Sequence, residues 1–118
     1  MTTSPEELQA KVAVIAGRFL ERVSREIDQL KTLVDDAASG DLKVVKEIET
    51  LTHRMHGSGA MLHFDEISGP AGELERMSAE FGSTGTVDQP RMLPVLQRLE
   101  AAIAKARANR AAAPSARP

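Results

Sequence analysis

Leu51-Thr-His-Arg-Met-His-Gly-Ser-Gly-Ala-Met-Leu62 is the stretch on which the fold turns, because it tells which side of a helix His53 occupies. An α-helix advances about 100° per residue. Counted from His53, Val44, Ile48, Leu51, Met55 and Leu62 fall between about 160° and 220°, a stripe wide enough to face a core. His53 points away from that stripe. Within about 60° on either side of His53 lie Lys46, Glu49, Thr50, His56, Gly57 and Ala60, none with a large apolar side chain. Gly57 comes one turn after His53 and Ala60 two turns after, so the surface beside the imidazole is low. Glycine inside a helix costs about 0.5–1 kcal/mol relative to alanine. The presence of both Gly57 and Gly59 therefore predicts a use for bareness near His53. The plain alternative is a polar surface histidine on an amphipathic helix.

Working outward, Ser4-Pro5-Glu6-Glu7 is a capping box, with serine as cap, proline at the first helical position and glutamate three residues on. Leu8, Val12, Ile15 and Phe19 follow at helical spacing, then Val23, Ile27, Leu30 and Val34. The drift of this series, with Gly17, predicts a bend or short break between residues 16 and 24 in a helix that otherwise runs to about Ala38. Ser39-Gly40-Asp41 joins a helix-stopping glycine to a capping aspartate, so the next helix, from about Leu42 to Leu62, returns antiparallel. Asp65 is a candidate cap for a third helix with Phe64 stapling its entry, although Pro70 moves the regular start toward Ser68. That helix carries Ala71, Leu74, Met77 and Phe81. Gly82 to Thr86 reads as a flexible loop. Asp88 caps a last helix, kinked or late-starting at Pro94, with Met92, Leu96, Leu99, Ile103 and Ala106 as its apolar stripe.

These four amphipathic segments predict an all-α protein, an antiparallel up-down-up-down four-helix bundle with a bent or broken N-terminal helix as a variant. Residues 1–110 form one domain and residues 111–118, Ala- and Pro-rich, a disordered C-terminal tail. The capped start and the tail suggest a complete small protein rather than a piece of a hybrid kinase.

Composition agrees. The 118 residues include three Phe and no Trp or Tyr, so the core must be aliphatic. A formal charge of −2, without interleaved aromatic and basic residues, predicts no nucleic-acid partner. No apolar run approaches the ~20 residues of a membrane span, and the N-terminus lacks a signal-peptide profile. A cytoplasmic location without membrane association is expected. The absence of cysteine excludes disulfides and thiolate metal sites.

His53-Arg54-Met55-His56-Gly57-Ser58-Gly59 resembles the signature of histidine phosphotransfer (HPt) domains of bacterial phosphorelays: histidine, any residue, an apolar residue, usually lysine, glycine, serine, a small residue. The likeness continues through Phe64, Ile67 and Ala71-Gly-Glu-Leu-Glu75 and covers nearly the whole chain. The resemblance implies that His53 accepts a phosphoryl group on its outer ring nitrogen and passes it on. The domain would be a carrier acted on by partners, not an enzyme. Its partners would be the receiver domain of a hybrid histidine kinase, a response regulator, or both. It would hold no cofactor itself, the Mg²⁺ belonging to the receiver. Gly57 and Ala60 would leave room for receiver loops, and Lys46 would contact phosphate or partner. His56 stands where the family has lysine, which implies weaker or pH-dependent phosphate stabilisation, and His63 stands at a common glycine. Members are commonly monomeric, so a monomer is expected, with a symmetric dimer through an exposed apolar strip as the alternative.

Two other readings compete. His53 and His56 at i, i+3, with Glu49 at i−4, have chelating spacing, although no third ligand is compelled from another helix. The chain would otherwise be a non-catalytic helical interaction module that docks a receiver or kinase without being phosphorylated. His63 reads as a turn residue, and the methionines as core or interface fillers.

Overall fold

The computed structural model describes residues 4–112, which form four α-helices and no strand. They are α1 (Pro5–Asp36), α2 (Leu42–Met61), α3 (Asp65–Thr84) and α4 (Gln89–Ala112), with a short 3-10 turn, Ala37–Ser39, after α1. Consecutive helices are joined by short connections and pack antiparallel, α2 lying most closely on α3.

The core is aliphatic, as the composition requires. Val23, Leu30, Val34, Ile48, Met55, Ala71, Leu74 and Leu99 are completely buried, drawn from all four helices. On α2 the expected Ile48, Leu51 and Met55 are buried, while Val44 and Leu62 are half-buried. Val45, Thr52 and Gly59 are buried as well, at seven-residue intervals. They lie about 240–280° from His53, so the buried arc is wider than the apolar residues alone define and leans toward α3. Thr52 tolerates this because its hydroxyl donates to the Ile48 carbonyl at 2.7 Å.

The predicted caps of the first two helices are in place. The Glu7 amide donates to Ser4 Oγ at 3.1 Å and the Lys43 amide to Asp41 Oδ1 at 2.9 Å. α1 runs through residues 16–24 without the break that was one of the two predicted outcomes. Gly17 has a different role: a Cβ there would sit 2.8 Å from Arg110 Nη2. That guanidinium, from the end of α4, crosses over Gly17 and donates to the Ala13 carbonyl at 2.8 Å. A second departure concerns the start of the α1 stripe. Phe19 is buried, but Leu8, Val12 and Ile15 are exposed. α1, at 32 residues, is about 48 Å long against about 30 Å for the 20-residue α2 and α3, so its first turns overhang the bundle.

α3 begins at Asp65 despite Pro70, which falls in its second turn, and the N-cap is Phe64 rather than Asp65. The Ile67 and Ser68 amides donate to the Phe64 carbonyl at 3.0 and 2.9 Å. The Phe64 ring stacks on Phe19 with centroids 5.4 Å apart, closing that end of the bundle. The expected loop from Gly82 shrinks, because α3 continues to Thr84 and stops at Gly85, whose φ of +72° suits glycine. Asp88 caps α4 through Oδ1, which accepts from the Arg91 amide at 3.2 Å. α4 takes in Ala111 and Ala112, and the rest of the expected tail lies outside the described residues.

Candidate functional site

His53 sits midway along α2 on the face opposite the core, its side chain 72% exposed. Its ring is not free to turn. Nδ1 lies 2.6 Å from Oε2 of Glu75 on α3, whose side chain is 25% exposed. A carboxylate only accepts, so the Nδ1–H donates and the Nε2 lone pair is turned outward. An imidazole in this tautomer is a nucleophile at Nε2. The charge that grows on the ring when Nε2 forms a bond is met by the carboxylate behind it.

His56, one turn further on, lies against α3. Its Nδ1 is 3.0 Å from the Ser68 carbonyl and 2.9 Å from Ser68 Oγ, while the Ser68 hydroxyl donates to the His56 carbonyl at 2.9 Å. The hydroxyl proton is thus committed, and both Ser68 oxygens accept from the His56 Nδ1–H. The ring fits because position 72 is glycine, since a Cβ there would stand 2.9 Å from His56 Nδ1. His56 is therefore a half-buried tie between α2 and α3, with only its Nε2 edge available to a ligand.

The two glycines of the motif separate. A Cβ on Gly57 would meet nothing within 4 Å, so the surface beside His53 is bare on that side, and Ala60 extends it. Gly59 faces inward instead, where a Cβ would approach Ser68 Cβ at 3.3 Å and Ser68 N at 3.4 Å. It serves the close approach of α2 to α3, not the bareness around His53. Lys46 is exposed but two turns from His53, about 10 Å along the axis, with no polar contact to it among the described residues. Arg54 is drawn away toward α1, where Glu26 Oε2 accepts from it at 3.2 Å. His63 is the exposed turn residue expected of it, with φ of +64°.

Sequence reasoning gave Ser68 no part in the site and met Gly72 and Glu75 only within the family pattern. Each acts on α2 from α3, so the signal lies in a helix pairing. Antiparallel register would have exposed it: His53 with Glu75, His56 with Gly72 and Gly59 with Ser68 all sum to 127 or 128 in residue number. The described residues hold no group of three or more His, Asp or Glu side chains arranged for a metal, and no described helix is long and apolar enough to cross a membrane.

Searches of curated proteins and of solved structures each gave no match. The Hpt-domain family model matches residues 14–109, a span that contains the His53 helix, the Glu75 helix and nearly all of the bundle. Hpt domains are phosphoryl carriers of two-component systems and interact with receiver domains and histidine kinases. An all-α bundle with an outward histidine, matched by that model over most of its length, belongs to the Hpt-domain family.

Proposed function

We propose that this chain carries a phosphoryl group between receiver-domain aspartates of a phosphorelay, with His53 as the phosphoacceptor. The observation that carries the reading is the 2.6 Å bond from His53 Nδ1 to Glu75, which leaves a nucleophilic Nε2 facing solvent. In the forward step the Nε2 lone pair attacks the phosphorus of an aspartyl phosphate, the P–O bond to the aspartate breaks, and the receiver regains its carboxylate. The Nδ1 proton stays on the ring, and Glu75 stabilises the resulting imidazolium. Microscopic reversal passes the group to another aspartate.

Phosphoryl transfer needs positioning and charge neutralisation. This chain contributes the oriented nucleophile and the bare approach at Gly57 and Ala60. The receiver supplies the aspartate and the Mg²⁺ that neutralises phosphoryl charge. His56, tied to Ser68 by Nδ1, supports the site chiefly by fixing α2 against α3, and Lys46 is placed to meet the partner rather than the phosphoryl group.

The test is incubation with a phosphorylated receiver domain, Mg²⁺ and radiolabelled phosphate. Acid-labile, base-stable label on the wild type and none on His53→Gln is the expected result. Receiver binding without label on a folded wild type would select the interaction module instead.

A further inference from the structure

A phosphoryl group brings nearly two negative charges at neutral pH, and the charge bonded to His53 is the negative Glu75. His56 does not balance it. Its Nδ1 proton is spent on Ser68, so in the neutral ring Nε2 is an acceptor, as phosphoryl oxygens are. Apart from the histidines, the basic residues of the two site helices are Lys43, Lys46 and Arg54 on α2 and Arg76 on α3. Lys43 and Lys46 stand about 10 Å or more along the axis from His53. Arg54 is turned to α1, where Glu26 accepts from it at 3.2 Å. Arg76 is exposed and has no hydrogen-bond or ion-pair partner among the described residues. Its carboxylate neighbours leave it so: Glu73, one turn back, is held by Arg98 at 2.6 Å, and neither Glu80, one turn on, nor Glu49 across on α2 bonds to it.

The packing of α3 on α2 carries Arg76 to His53. Counted from Glu75, the buried Ile67, Ala71, Leu74 and Ser78 lie about 40–100° to one side, and Gly72 and Arg76 about 60° and 100° to the other. The His56 ring lies on Gly72. Arg76 follows Gly72 by one turn in the same row, as His53 precedes His56 by one turn on α2, so the two leave the helix pair side by side on the face away from the core. The pairing sum of 127 or 128 sets Arg76 level with residues 51–52, within about 3 Å of His53 along the axis.

We propose that Arg76 binds the phosphoryl group on His53, doing from α3 what the resemblance assigns to a lysine on α2. This deepens the assignment of His53 as phosphoacceptor and rests on it. Glu75 accepts from Nδ1 behind the ring while Arg76 reaches over its outer edge, so the imidazolium meets a carboxylate and the phosphoryl oxygens meet a guanidinium. A guanidinium offers two parallel N–H donors to two phosphoryl oxygens, and unlike an imidazole it keeps its charge near neutral pH. Glu75 and Arg76, adjacent in sequence, thus serve the two ends of one phosphorylated side chain.

Phosphoramidate tests this without a receiver: its phosphoryl group passes to His53 Nε2, the new N–P bond replacing the one to ammonia, which leaves. Phosphorus NMR then follows the second ionisation of the bound group, ordinarily near pH ~6, on the resonance missing from His53→Gln. A guanidinium beside the group favours its dianion. In Arg76→Ala the midpoint should therefore rise by about 0.5–1 pH unit, roughly three- to tenfold in proton affinity, while Arg76→Lys stays near wild type. Arg76 is exposed, so circular dichroism should be unchanged. A midpoint in Arg76→Ala within about 0.2 unit of wild type overturns the proposal. With a phosphorylated receiver, Arg76→Ala should also load about three- to tenfold more slowly, its affinity for the unphosphorylated receiver unchanged. Loss of that affinity with an unmoved phosphorus midpoint would make Arg76 a docking residue and overturn the proposal. A wild type and variant that titrate as expected after phosphoramidate, yet take no label from receivers, would uphold the role of Arg76 and count against the relay reading alone.

Discussion

Replacing Glu75 with alanine tests the site at its most specific point. In the proposed transfer the carboxylate does two things for His53: it holds the proton on Nδ1, and it opposes the charge that forms on the ring as Nε2 bonds to phosphorus. A hydrogen bond to a charged group contributes about 1.5–3 kcal/mol. The His53 side chain is 72% exposed and Glu75 only 25%, so water screens part of this and about 1–2 kcal/mol is a fair share. The bond strengthens as the ring gains charge, so the loss falls mainly on the transition state. At about 1.4 kcal/mol per tenfold change, phosphoryl transfer to Glu75→Ala should be slower by about 5- to 30-fold. Glu75→Gln should fall between, because an amide oxygen can still accept from Nδ1–H but carries no charge. Single-turnover transfer from a phosphorylated receiver measures the rate, and nitrogen NMR of the His53 ring measures the tautomer, which a merely structural role would leave alone. Transfer to Glu75→Ala within twofold of wild type, or a wild-type ring protonated at Nε2 instead of Nδ1, would refute the reasoning.

Other outcomes follow from the same geometry. Gly72→Ala should destabilise the bundle by about 1 kcal/mol in urea unfolding, because the new methyl collides with His56, whereas in a His56→Ala background it should stabilise by about 0.5–1 kcal/mol through helix propensity. That reversal of sign is the decisive reading, and the same sign in both backgrounds would remove the role given to His56. His63→Gly should raise stability by about 0.5–1 kcal/mol, since φ of +64° is strained for a side chain and free for glycine. Gly57→Leu should block transfer from a receiver while leaving circular dichroism unchanged, because its side chain would project into open space on the approach to His53; undiminished labelling would count against that role.

The fold was legible because it is written in local terms. Ser4 and Asp41 cap where they should, Gly40 stops a helix with positive φ, and the wheel put His53 opposite Ile48, Leu51 and Met55. What failed was everything that depends on which residue of another helix stands opposite. Gly17 looked like a helix breaker because Arg110 is ninety-three residues away in sequence. Gly59 looked like a companion of Gly57 because the closeness of Ser68 cannot be read along one helix. Glu75, the residue bonded to His53 Nδ1, was visible only as part of a family pattern. The stripe at Leu8, Val12 and Ile15 has the periodicity of a core, and periodicity says nothing of whether a neighbour is long enough to cover it.

The clasp between His56 and Ser68 has a consequence for how such a module diversifies. It locks the register of α2 on α3, and three residues from one side of it stands His53, seven from the other Glu75. The aim of the His53 ring is thereby inherited from two rods bolted together, with no loop in the chain of tolerances. Turns between α1 and α2, or between α3 and α4, can lengthen, shorten or change charge without altering the His53–Glu75 pairing. The geometry around His53 is thus mechanically decoupled from the turns of this protein.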